Sequence, residues 1–213
     1  KLLALNAKGI TVPGYEIQSL QNNPDYIKPF ATFHKPGTLC ISEGAENLPG
    51  HERMHISIDL FPLDFIPKDL ALAKKIASKT LTLCRAMYLG TINFPSEHPV
   101  FCTFAKLGCS VLRGFLHLTK TDTAALQKKL DFWRSQGQEN PSGRMCYFGE
   151  ARSLDIWVED PSKETAIFLP FNGTQIPVMN HPEEYLARSY GSDFMKLPPV
   201  SKRLNHAAAV LKF

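Results

Sequence analysis

A chain of 213 residues with 44% hydrophobic side chains is long enough to bury an ordinary core, which excludes collagen-like, coiled-coil and disordered classes. Its charge is nearly balanced, with 24 basic and 20 acidic side chains and a formal +4, too mild for a duplex nucleic-acid binder but compatible with a phosphorylated small molecule or an anionic membrane surface. No run approaches the roughly 18 apolar residues of a membrane span, and Lys1-Leu2-Leu3-Ala4-Leu5 is too short for a signal peptide. The chain therefore reads as soluble, and its opening on Lys1 in what resembles the tail of a helix leads us to expect sequence upstream. The five cysteines (Cys40, Cys84, Cys102, Cys109, Cys146) are scattered without a C-x-x-C pair, the pattern of buried thiols in a reducing cytoplasm.

The elements predict one domain of α+β class with a helical section at about 69–137. Tyr15–Leu20 and Phe30–Phe33 are short strand-like runs, and Pro36-Gly37 fits a turn into a strand at Thr38–Ile41. His55–Leu60 is the clearest strand. Period two puts His55, Ser57 and Asp59 on a polar face and directs Ile56, Ile58 and Leu60 into the core, and Pro62 ends the ladder.

Asp69 can cap a helix carrying Leu72, Ile76, Leu83 and Met87 on one side and stopping at Gly90. A second helix is predicted from Pro99 to about Leu118. Its aromatic and basic residues could rest on a membrane, although apolar helical faces ordinarily pack inward. A third begins near Thr121-Asp122, carries Leu126, Leu130 and Trp133, and runs into a loop from Gly137 to Gly143. Ala166–Leu169 and Gln175–Val178 flank Asn172-Gly173, a hairpin signal because both turn residues tolerate positive φ. The last helix opens at His181-Pro182-Glu183-Glu184 and stops at Gly191.

Asp59, on the open face of an otherwise apolar strand, could hold a divalent cation, with Asp64 as a second carboxylate beyond Pro62. Mg²⁺ prefers oxygen ligands and commonly takes only one or two carboxylates beside substrate phosphates. The simpler alternatives are a turn cap or an ion pair with a nearby base. Lys196, Lys202, Arg203 and His206 form a basic, proline-stiffened tail able to grip a diphosphate, or simply to be solvated, and His34-Lys35 is a further basic spot at the Pro-Gly turn. Phosphate loop, dinucleotide fingerprint, nucleophile elbow and H-E-x-x-H motifs are all missing, and His51 and His55 straddle a loop-to-strand transition that does not suit a helical zinc pair.

Ile56-Ser57-Ile58-Asp59-Leu60-Phe61-Pro62-Leu63-Asp64 followed by Pro67 resembles the "DIFPLD...P" signature of the LicD family. Tyr185 through Pro199, with Lys202-Arg203 and His206, resembles that family's closing "YL...YG.(Y/F)M.LPP..KR..H" pattern. Pro29–His34 through Thr38 and the stretch Phe168–Pro177 are similar to two further family segments, so the resemblance covers 14–67 and 164–206.

The resemblance implies a nucleotidyltransferase-like mixed sheet with an inserted helical section and a C-terminal hairpin and helix. It implies a phosphotransferase that moves phosphocholine, or a related alditol phosphate, from CDP-choline or another CDP-alditol onto a sugar, as fukutin-type relatives do with ribitol phosphate. The acceptor would be a cell-surface glycan, lipopolysaccharide or teichoic acid, in some cases lipid-linked, with the enzyme cytoplasmic at the inner face of the membrane. A divalent cation, Mg²⁺ by preference, would sit on Asp59. Lys196, Lys202, Arg203, His34 and Lys35 would hold donor phosphates, with Asp59, Asp64 and His206 at the chemistry. The family's opening "GG.LLG..R...IPWDDDIDI" segment has no counterpart here, so these residues by themselves are expected to be inactive. The alternative is a non-catalytic nucleotide- or glycan-binding remnant.

Overall fold

The computed structural model describes residues 12–23, 26, 28–42, 55–89, 107–108, 110–111, 114, 118, 122–163, 165–200, 203 and 208–213. The described residues form a mixed α+β structure. Its contacts divide into two compact units, one of Lys1–Phe61, Leu83–Lys129 and Leu204–Phe213, the other of Pro62–Thr82 and Leu130–Arg203.

In the first unit, strands β1 (Glu16–Gln18), β2 (Ala31–His34) and β4 (Ser57–Leu60) make an antiparallel sheet in the order β1-β2-β4. β3 (Leu39–Ser42) pairs instead with β10 (Ala208–Lys212), across a register shift between Ala208 and Val210. Register sets Asp59 opposite Thr32 and Ile58 opposite Phe33. Strand β4 occurs as expected, but the aliphatic half of its pattern does not. Ile58 is 66% exposed, and Ile56 and Leu60 are only partly buried. Because β4 lies at the edge of a three-stranded sheet, alternation fixes which residues share a face without guaranteeing that the face is covered.

A knot of hydrogen bonds joins the turn after β2 to the entry of β4. The Thr38 hydroxyl donates to the Lys35 carbonyl at 2.6 Å and accepts from the Ile56 amide at 3.0 Å, while the Lys35 amide donates to the Ile56 carbonyl. His55 Nδ1 donates to the Thr38 carbonyl, and its ring stacks on that of His34 with centroids 4.8 Å apart.

The second unit holds the sheet β5 (Asp64–Pro67), β6 (Pro141–Cys146), β7 (Val158–Glu159) and the hairpin β8 (Ile167–Phe171) to β9 (Thr174–Val178). Ile76, Cys146 and Phe148 form its buried centre, with Ile66, Leu72, Ala77, Leu154 and the rings of Trp133 and Trp157 packed around them. Helix α1 (Leu70–Leu89) opens as its sequence dictates, since the Asp69 carboxylate accepts from the amides of Ala71 at 2.8 Å and Leu72 at 3.3 Å. Its buried stripe runs through Ala73, Ile76, Thr80, Cys84 and Met87. Thr80 is tolerated there because its hydroxyl donates to the Ile76 carbonyl one turn back.

Helix α2 (Thr123–Ser135) buries Leu126 and Leu130. The expected loop from Gly137 to Gly143 is instead a 3-10 turn at Gln136–Gln138 followed by the start of β6. Gly137 lets that turn press on β5, for a Cβ there would fall on the Phe65 carbonyl. The hairpin is as expected: Asn172 (φ 46°) and Gly173 (φ 76°) both take positive φ, and Phe171 pairs with Thr174. Helix α3 (Pro182–Tyr190) has proline in its first turn and ends where Gly191, at φ 95°, donates its amide to the Ala187 carbonyl at 2.9 Å. The predicted Pro99–Leu118 helix falls largely outside the described residues. Among the described residues no helix is long and apolar enough to cross a membrane. Cys40 and Cys146 are free thiols, Cys146 and Cys84 are buried, and Cys102 and Cys109 lie outside the described set.

Candidate functional site

On strand β4 Asp59 does not lie on the open face expected of it: it shares a face with the buried Thr32 and His34 of β2, while Ile58 occupies the more exposed face, and its side chain is 40% exposed. Lys28 reaches it from before β2, its ammonium donating to Asp59 Oδ1 at 3.1 Å. The Lys28 ammonium also lies 5.4 Å from the centre of the buried Phe30 ring, which packs against Phe61 at 4.6 Å. On β2 opposite, Thr32 is buried and its hydroxyl accepts from the Tyr26 phenol at 3.2 Å. Burial, opposed in part by that hydrogen bond and reinforced by the nearby Asp59 charge, pushes the Tyr26 phenol up to about 12. Tyr26 therefore stays neutral and donates.

Asp59 is thus a half-exposed carboxylate that already holds one cation, above a satisfied polar pair. As a site for a divalent ion it offers an oxygen ligand reached by solvent, but the Lys28 ammonium already occupies that carboxylate. It supplies one carboxylate only, and among the described residues no three His, Cys, Asp or Glu side chains converge.

Asp64 belongs to the second unit and is differently occupied. As the first residue of β5 it is mostly buried and forms an ion pair with Arg134 Nε from α2, a guanidinium that also approaches Asp131 at 3.8 Å. Burial raises the Asp64 carboxyl, with the Arg134 hydrogen bond and charge pulling the other way. These contacts describe a structural ion pair.

The basic residues differ in their surroundings. His34 is 6% exposed, its Nδ1 has no hydrogen-bond partner among the described residues, and Glu16 is 4.0 Å from Nε2. Burial and the stacked His55 lower its pKa, against the pull of Glu16. A neutral, enclosed imidazole gives a phosphate little to bind. Lys35 is exposed on the turn and Lys196 is exposed beyond α3. Arg203 Nε donates to the Pro198 carbonyl at 2.9 Å. Lys202 and His206 lie outside the described residues.

The buried His34 makes stability depend on pH. An unfolded histidine titrates near 6.5, and a lowered folded value means that the unfolded chain binds protons first, so stability rises with pH through that window. His34 should therefore withdraw stability as pH falls below about 6.5 and leave it flat above. In urea titrations the stability of wild type relative to His34→Phe should fall from pH 7 to pH 5. A difference that stays constant with pH refutes the neutral assignment.

A second cluster had no signal in the sequence. The Trp157 ring lies 3.6 Å from the Arg188 guanidinium carbon and 3.9 Å from that of Arg144, so two cations at such distances must cover opposite faces. Arg188 also donates to the Trp157 carbonyl at 3.1 Å and to Glu184 at 2.7 Å. Beside them opens a cleft of about 350 Å³ lined by Trp157, Pro177, Met179, His181 and Tyr185 among others. His181, entering α3, takes the left-handed conformation at φ 57° and ψ 52°, uncommon for a side-chain-bearing residue. With Arg188 committed, the cleft offers apolar contact edged by Glu159 and Glu184 rather than positive charge.

Lys28, Tyr26, Arg134 and Trp157 were not legible as site residues, because each acquires its partner only through folding. Comparison of the chain with protein-family models, with curated proteins and with solved structures returns no match.

Proposed function

We propose that this chain is part of a metal-dependent phosphotransferase of the LicD type, with the nucleotidyltransferase-like arrangement that the resemblance implies. It would transfer phosphocholine, or a related alditol phosphate, from a CDP-activated donor to a sugar hydroxyl of a cell-surface glycan or teichoic acid, at the cytoplasmic side of the membrane. The observation that supports this reading is Asp59, a half-exposed carboxylate paired with the Lys28 ammonium at 3.1 Å inside the first of the two family-like segments. A divalent cation, Mg²⁺ by chemistry, would neutralise charge developing on the departing CMP.

The protein's own groups do the rest. Asp59 is the carboxylate for that cation, and the Tyr26–Thr32 hydrogen bond beneath it secures β2 against the preceding loop. By the resemblance alone, Lys196, Lys202 and Arg203 are the positive charges for the donor phosphates and His206 is the base.

The test is a transfer assay on the protein at its natural length with CDP-choline, CDP-ribitol and CDP-glycerol as donors. Asp59→Asn should lower kcat roughly a hundredfold, the scale of losing a metal-held charge stabilisation. Unchanged turnover in Asp59→Asn removes this residue from the mechanism. Nucleotide binding without any turnover would favour the non-catalytic alternative.

A further inference from the structure

Two imidazole rings meet where β2 ends and β4 is about to begin. His34, the last residue of β2, and His55 stack nearly parallel, with centroids 4.8 Å apart and 14° between their planes. Their nitrogens are not equivalent. His55 Nδ1 donates to the Thr38 carbonyl at 2.6 Å, and an imidazolium keeps that bond because both of its nitrogens donate. His34 is enclosed, so charging it would bury a cation and leave an Nδ1 hydrogen with no acceptor among the described residues. Among the described residues two ionisable groups act on it. A charged His55 repels a second proton, and Glu16, opposite His34 in the β1–β2 register, attracts one from 4.0 Å but is 68% exposed and screened by water.

The rings are held together by the hydrogen bonds around them. Lys35 follows His34 and Ile56 follows His55; the Lys35 amide donates to the Ile56 carbonyl at 3.0 Å, and the Ile56 amide donates to the Thr38 hydroxyl at 3.0 Å. Parting the two segments that carry the rings therefore loosens the turn from the strand. We propose that the stacked pair is an acid-sensitive latch: its closed form accepts one proton, on His55, while its open form accepts two, so that mild acid releases the Lys35–Thr38 turn from the entry of β4. The protons come from solvent, and no covalent bond changes. The latch needs neither metal nor substrate and is independent of the reaction proposed above.

In the closed form burial, and then the facing His55, lower the His34 pKa, whereas in the open form the ring titrates near 6.5. The open form therefore gains its proton first as pH falls, so closure is at full strength above about pH 6.5 and weakens below it. The experiment follows amide hydrogen exchange of the full chain by NMR, with rates corrected for the intrinsic effect of pH. Between pH 7.5 and pH 5.5 the Lys35 and Ile56 amides should lose protection about tenfold, the effect of one extra proton bound in the open form. The amide of Ile76, in the buried centre of the second unit, should hold its protection. His55→Asn keeps a donor for the Thr38 carbonyl without a titrating ring, and in it the loss at Lys35 and Ile56 should shrink. In NMR titrations the His34 midpoint should lie below 6.5 in wild type and move up in His55→Asn.

Protection at Lys35 and Ile56 that is the same at both pH values overturns the release. Equal loss at Ile76 would mean that the chain unfolds as a whole, and overturns the latch as a local device. A wild-type His34 midpoint at or above 6.5 does the same without any variant. If His34 titrates alike in wild type and His55→Asn, the two rings do not compete for protons and the paired mechanism fails.

Discussion

Replacing Arg134 with alanine is expected to destabilise the protein by about 3–5 kcal/mol, the scale for leaving a buried charge without its partner. Asp64 is the reason. Its side chain is 13% exposed, its carboxylate pairs with Arg134 Nε, and burial already raises its pKa despite that pairing. Without the guanidinium the carboxyl should climb further, and the folded protein will then bind a proton that the unfolded chain releases. Where the folded state holds more protons, stability falls as pH rises, so the penalty should be larger at pH 8 than at pH 5. The double variant Arg134→Ala with Asp64→Asn should recover much of the loss, because a neutral amide costs far less to bury than an unpaired charge. Urea denaturation of both single variants and the double variant measures this. A cost below about 1 kcal/mol at pH 8 would mean that water reaches Asp64 and that the pair is an ordinary surface bridge.

Phe148→Ala should cost a comparable amount, about 3–5 kcal/mol, from lost burial and from the cavity left behind. Phe148 is fully enclosed and shares the centre of the second unit with Ile76 and Cys146, walled by residues that include Trp133 and Trp157. The matching control is Phe168→Ala on β8, where the ring is 63% exposed and the expected change is within about 0.5 kcal/mol. A chemical readout accompanies the thermodynamic one. Burial, with the nearby Asp64 charge, pushes the Cys146 thiol up to about 12, so it should resist thiol reagents in wild type and react measurably faster beside the new cavity. Equal reactivity in the two proteins would show that the site collapses around the missing ring.

The elements that were legible in the sequence are those whose signals are local. Asp69 caps α1 because its carboxylate reaches amides two and three residues on. Asn172-Gly173 turns the hairpin because both residues accept positive φ, and Pro182 with Gly191 brackets α3. Misreadings came where the outcome depended on what lies across space. Ile58 alternates as a core residue should, yet is exposed at a sheet edge. Gly137 reads as loop, yet it is a contact surface for the backbone of β5.

The candidate site divides in the same way. Period two alone set Asp59 on the polar face of its strand, since successive side chains must alternate whatever the partner strand is. Its counter-ion 31 residues away, and that of Asp64 at a separation of 70, came only from the tertiary structure. Hydrogen-bonded turns and strand alternation are properties of neighbouring φ and ψ angles, which the local residue types bias directly. The choice of which charge meets which carboxylate depends on strand register and helix packing, which are settled by the whole chain at once.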